Sequence, residues 1–299
     1  MVPIISVLVL FVAPLCYAIV GWVRSRRATP MQRENLPRWD WRITLASLLL
    51  YVLAFNLVFF VQELFLVLPK AFVPGVRPTL FHNNHGWTGE HPLTELFQGT
   101  GALATLLLGI ACAFRLRRGG TASGWQRLFL FWLAFSGVFM ALPQVVAGVL
   151  IPQGDVGRAM TYLGLGAAAK TTLALLSLAA IPLCALWLLR PLLQLADSPA
   201  QIATARARHR FVFLAATLPG LMAIAPIMAY RVPREWIEVL IVPVVVTIVG
   251  LAWIQAGAWR VADAEARGNA ARWPIAALLV AAVALLAVFQ LLLRPGITF

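Results

Sequence analysis

The sequence predicts an all-α polytopic membrane bundle of about eight transmembrane helices, and three observations predict it. Hydrophobic residues make up 61% of the 299-residue chain and charged residues 12%, a composition too apolar for a soluble domain of this length. Eight apolar runs, approximately 2–23, 43–68, 93–114, 128–151, 160–189, 211–230, 237–259 and 274–293, reach or approach the roughly 20 residues that cross a bilayer. The arginines fall between these runs and form no single patch, so the formal charge of +13 is matched to anionic lipid head groups and not to nucleic acid.

The first run has no basic residue before it, exceeds a signal-peptide core and ends in Arg24-Ser25-Arg26-Arg27, so it reads as a retained anchor helix. Pro69-Lys70 closes the second run, and Gly119-Gly120 turns the chain after the third. The fifth, at 160–189, is long enough to be tilted or to begin outside the bilayer. No repeat and no soluble domain interrupts the series, so 1–299 is read as one integral-membrane domain.

Orientation follows from Lys and Arg. Of the 24, 17 lie in the first, third, fifth and seventh connections, Arg33 among them; the other 7 are Lys70, Arg77, Arg158, Lys170, Arg231, Arg234 and Arg294. The positive-inside rule then places both termini outside, in a bacterial-type inner (plasma) membrane. Trp22, Trp39, Trp41, Trp125, Trp132, Trp187, Trp259 and Trp273 gather toward the inner boundary as an aromatic belt would. Cys16, Cys112 and Cys184 all lie within apolar runs, which gives neither a disulfide framework nor a cysteine metal motif.

Against this background one polar island stands out: His82-Asn83-Asn84-His85-Gly86-Trp87-Thr88-Gly89-Glu90-His91, with three of the chain's 4 histidines. Topology places it outside. Glu63 lies about 31 Å along its helix from Arg42, at the same level. Glu95 and Gln98 share one face at the start of the third helix. Gln144, Asp155 and Lys170 come to the same leaflet from other segments, and Glu90 belongs to the island itself. A carboxylate at this depth costs several kcal/mol unless paired or protonated, which singles out Glu63; Lys70 is a partner within reach on the same helix.

The island has three readings. His82, His85 and His91 supply imidazole nitrogens suited to zinc or another divalent metal ion. The Asn83-Asn84 and Gly86 stretch makes a turn that merely covers the bundle. Histidine's titration near neutrality suits a proton relay. Small residues Gly99, Gly101, Thr105 and Gly109 form a ridge on the third helix that lets a neighbour approach closely. Prolines within the spans, Pro219 and Pro226 above all, mark the sixth helix as the one to kink.

Three segments in order resemble the core of site-2-protease-type intramembrane metalloproteases: Gln62-Glu63-Leu64-Phe65-Leu66, Gly99-Thr100-Gly101, and Ala141-Leu142-Pro143 with Asp155-Val156-Gly157, covering roughly 55–165. Gln62 and Leu66 stand where that family has zinc histidines. The resemblance therefore implies a catalytic role only for Glu63, as general base, and a metal-ligand role for Asp155. With His82, His85 and His91 replacing the missing ligands, the expectation is a metal-dependent hydrolase acting on a membrane-proximal lipid or peptide bond. The competing expectation is a non-enzymatic permease or an assembly factor that binds a partner protein, with Glu63 and Lys170 lining a polar path.

Overall fold

The computed structural model describes residues 1–28, 37–118, 123–233, 236–267 and 273–299; Arg33, the Gly119-Gly120 turn and Arg234 lie outside them. Among the described residues, eight helices are long and apolar enough to cross a membrane: α1 (Val2–Ser25), α2 (Trp41–Phe72), α3 (Leu93–Arg118), α4 (Gly124–Leu150), α6 (Ala167–Leu193), α7 (Ala205–Arg231), α8 (Val239–Gly257) and α9 (Ile275–Leu293). A short helix, α5 (Asp155–Tyr162), stands between α4 and α6. The fifth run thus divides: Gly164 takes φ +65, a left-handed conformation that ends α5, and Gly166 caps α6.

Helix α2 is the axis of the bundle. It is buried over 78% of its most apolar window, against 17% for α1 and 17% for α9, and it touches α3, α4, α7 and α9. Tyr51 of α2 stacks on Trp132 of α4 at 4.2 Å, with Phe135 edge-on at 5.6 Å, and its hydroxyl meets Thr247 Oγ1 of α8 at 2.7 Å. Trp132 therefore belongs to the interior and not to the boundary belt. Close approach of α3 to α4 runs through Gly109 and Gly137: a Cβ on Gly137 would stand 2.5 Å from the Thr105 carbonyl oxygen.

The sixth transmembrane helix, α7, shows how the carbonyls freed by a proline find partners. Pro219 has no N–H, so neither Ala215 O, its partner in α register, nor Leu214 O, its partner in the π turn at Phe213–Thr217, receives a helical bond from it. Ser47 Oγ donates to Ala215 O at 2.5 Å and Thr44 Oγ1 to Leu214 O at 2.9 Å, both from α2. Trp132 Nε1 in turn donates to Ser47 Oγ at 2.9 Å. Ser47→Ala strands a buried carbonyl and a buried indole N–H together. We expect a loss of about 2–6 kcal/mol, from roughly 1–3 for each group, measurable by unfolding in detergent; Ser47→Thr should recover part of it.

A three-stranded sheet of order β2-β1-β3 covers one end of the bundle. Strand β1 (Arg77–Leu80) pairs antiparallel with β2 (His85–Thr88), Leu80 opposite His85 and Pro78 opposite Trp87, and β3 (Ile297–Thr298) adds to the other edge of β1. The segment after α9 is thereby held at the hairpin face. Val2 packs with Val146, Ala174 and Leu178, at the ends of α4 and α6 nearest the hairpin. Both ends of the described chain thus lie at this face, and the arginine-rich connections lie at the other.

Candidate functional site

The hairpin decides where the histidines go. In a strand, residues two apart share a face, so His85 and Trp87 both turn toward the bundle, their rings 6.1 Å apart and within 9° of parallel. Phe81 N–H donates to Asn84 O at 2.8 Å and closes the turn, leaving His82 and Asn83 at its tip. Both tip residues are buried, and Asn83 Nδ2 donates to the Arg231 carbonyl at the end of α7. His91 lies beyond β2 at the start of α3, where its Nδ1 accepts from Leu93 N–H at 3.2 Å. Spacing in sequence suggested three convergent imidazoles; the strand period and the turn send them to three different places.

His85 alone enters the polar cluster. Its Nδ1 is 2.8 Å from Glu63 Oε2 and its Nε2 is 3.0 Å from Gln98 Oε1. Gln98 Oε1 also accepts from Lys70 Nζ at 3.2 Å, and the same ammonium sits 4.2 Å from the centre of the Trp87 ring. Glu63, Lys70 and Gln98 are all buried. Lys70 thus partners Gln98, and the ion partner of Glu63 is His85. The short turn Lys70–Phe72 that ends α2 carries Lys70 back over the bundle.

This arrangement fixes the proton inventory. An ammonium only donates, so Lys70 pins the Gln98 amide with its oxygen inward. That oxygen only accepts, so His85 Nε2 carries a hydrogen. One further proton lies on the Glu63–His85 contact, either as imidazolium facing carboxylate or as carboxylic acid facing neutral imidazole. Burial pulls the His85 pKa down, but the Glu63 hydrogen bond and charge, helped by Asp155, outweigh it and hold it above its usual 6.5. Asp155, at the start of α5, is pushed above the usual carboxylate range by burial, against the pull of His85, Lys70 and Arg158.

The sign of the pH dependence follows. A histidine held above its unfolded pKa contributes stability that is complete below that value and is lost as pH rises through the folded one. Asp155, shifted upward, penalises its ionised form and acts in the same direction. Stability of the hairpin face is therefore expected to fall as pH rises above about 6.5, and the protection of β1 and β2 amides relative to intrinsic exchange should fall there while that of α4 does not.

The other expected residues form a shell. Gln144 Nε2 donates to Gln62 Oε1 at 2.8 Å, tying α4 to α2 one residue from Glu63. Glu95 meets Arg158 at 3.4 Å, with both side chains about 40% exposed. Lys170 donates to Thr161 Oγ1 at 3.1 Å, and Glu90 is exposed beyond β2. Beside Glu95 and Arg158 opens a cleft of about 420 Å³, lined also by Pro92, Gln153 and Tyr162. Trp87 escaped the sequence reading. Its position two residues from His85, and its distance from the opposite-face tryptophans, were the available signals.

Among the described residues no three His, Cys, Asp or Glu side chains gather in a metal-holding group. Both ring nitrogens of His85 are engaged in hydrogen bonds, so ligation would require one of them to break. Comparison with protein-family models, with curated proteins and with solved structures gives no match to this chain.

Proposed function

We propose that this polytopic membrane protein is an acid–base enzyme of the hydrolase class, working at the outer face of a bacterial-type inner membrane on a membrane-proximal substrate. The observation that carries the reading is the single proton on the buried Glu63–His85 contact, orientated by Gln98 and Lys70. The Glu63 carboxylate oxygen that His85 does not engage takes a proton from water as the water adds to an ester or amide carbonyl, and returns it to the leaving group as that bond breaks, while the proton shared with His85 stays in place. Asp155 supplies a second carboxyl close enough to alter the charge state of His85. Transport is less well supported, because Tyr51, Phe55, Trp132, Phe135 and Phe139 fill the bundle beneath the site with buried aromatic side chains.

The test is turnover of lipid esters and membrane peptides by purified protein in nanodiscs. Glu63→Gln and His85→Gln should each lower the rate at least 100-fold, the usual contribution of acid–base groups being about 10²–10⁴, with no effect of chelators. A second reading, the metal-dependent hydrolase, is favoured by one observation: Glu63 and Asp155, the two positions carried over from the protease resemblance, both influence His85. It predicts bound divalent metal in the purified protein and loss of turnover on chelation. Unchanged turnover in both variants would remove either reading.

A further inference from the structure

The cleft next to the acid–base pair is shaped for one class of ligand. Its volume of about 420 Å³ falls in the range of small-molecule sites, about 300–1,000 Å³. Arg158 of α5 forms one wall. Its Nε donates to Gln153 O at 2.9 Å, which fixes the guanidinium plane, and one Nη reaches Glu95 at 3.4 Å. A guanidinium carries five N–H donors, and these two contacts engage two of them among the described residues. Thr161 lines the cleft and is held by Lys170 Nζ at 3.1 Å, so a second cation borders it. The Glu95–Arg158 pair is long and half-exposed, hence weak, and a phosphate with several acceptor oxygens competes well for Arg158.

The outer rim is apolar. Ile151 is 57% exposed, Leu163 58% and Tyr162 41%, at the end of α4 and the end of α5. Ile151 directly precedes Pro152 and Leu163 directly follows Tyr162, two residues that line the cleft, so exposed apolar side chains stand beside its polar ones. Asp155, one turn before Arg158 on α5, interacts electrostatically with both Arg158 and His85 and so couples the cleft to the pair.

We infer that this cleft binds the phosphate-bearing head of an anionic amphiphile, with Arg158 and Lys170 on the phosphate and the acyl chain against Ile151 and Leu163. The inference rests on the acid–base reading for the group that reacts, and adds the substrate class. Its test uses the full chain in uncharged detergent, with affinity measured by calorimetry for three probes: dihexanoyl phosphatidic acid, dihexanoyl glycerol without phosphate, and inorganic phosphate. Phosphatidic acid should bind at least tenfold more tightly than either of the others. Arg158→Gln should weaken it about tenfold and Lys170→Gln by less. Glu95→Gln, which removes the competing carboxylate, should tighten it, an opposite sign that a merely structural role of the ion pair would not give.

Equal binding of the glycerol probe would overturn the phosphate contact, and equal binding of inorganic phosphate would overturn the amphiphile. Unchanged affinity in Arg158→Gln would overturn the site itself. The two proposals also fail separately. Phosphatidic acid binding of the expected pattern with full turnover in Glu63→Gln discards the acid–base pair and keeps the cleft. Lost turnover in Glu63→Gln with phosphate-blind binding does the reverse.

Discussion

Replacing Glu63 by alanine is expected to cost about 3–5 kcal/mol of stability, the usual result of removing one partner from a buried ion pair. Glu63 and His85 are both largely buried, with side chains 6% and 8% exposed, so bulk solvent compensates poorly for the lost carboxylate. Glu63→Gln keeps a hydrogen-bonding group in the same volume and should cost about 1–3 kcal/mol. The sharper readout is the His85 titration. Burial is already the largest single influence; without the Glu63 charge it is opposed chiefly by Asp155 and aided by Lys70, so the His85 pKa should fall below its ordinary 6.5. Histidine-selective NMR in detergent micelles measures this shift directly. A His85 pKa that stays high in Glu63→Gln would show that the pair does not govern the proton, and would take the proposed function with it.

What the sequence made legible follows from how each signal is encoded. Apolar length identifies the spans because hydrocarbon tolerates little else, and the small-residue ridge of α3 is legible because close helix approach needs residues without bulk. Glu63 could be singled out from cost alone. Its partner was harder to find. Lys70 is closer along the chain, but the turn after Pro69 carries it toward Gln98 and Trp87, and a residue 22 positions away supplies the imidazole. The histidine island was hard to read because spacing of three says nothing until the backbone is known. In a loop His82 and His85 can converge; in the hairpin His82 sits at the turn with Asn83 while His85 begins β2. The division of the fifth run at Gly164 escaped for the opposite reason: an apolar stretch conceals a glycine that hydropathy scores as ordinary.

The glycine ridge matters to the site as well as to the fold. Gly101 lies where α3 crosses α2: a Cβ there would be 2.7 Å from Leu66 Cγ and 2.9 Å from the Gln62 carbonyl oxygen. Leu66 has a flexible side chain and can yield, but the Gln62 carbonyl is backbone, so any larger residue forces the helices apart. Gln98 sits one turn before Gly101 on α3, and Glu63 follows Gln62 on α2. Separating the helices at Gly101 therefore widens the space in which His85 bridges Gln98 and Glu63, two contacts that each span only about 3 Å. Gly101→Val is expected to cost about 3 kcal/mol or more, at the upper end of overpacking. It should also move the His85 titration although it touches neither His85 nor Glu63. Gly101→Ala should show both effects at reduced size. Leu103→Ala, on the same helix but 55% exposed, should change stability by no more than about 0.5 kcal/mol and leave the titration alone. If Gly101→Val lowers stability but His85 titrates as before, then the hairpin holds the pair together independently of the helix crossing, and Gln98 is not the residue that orientates His85.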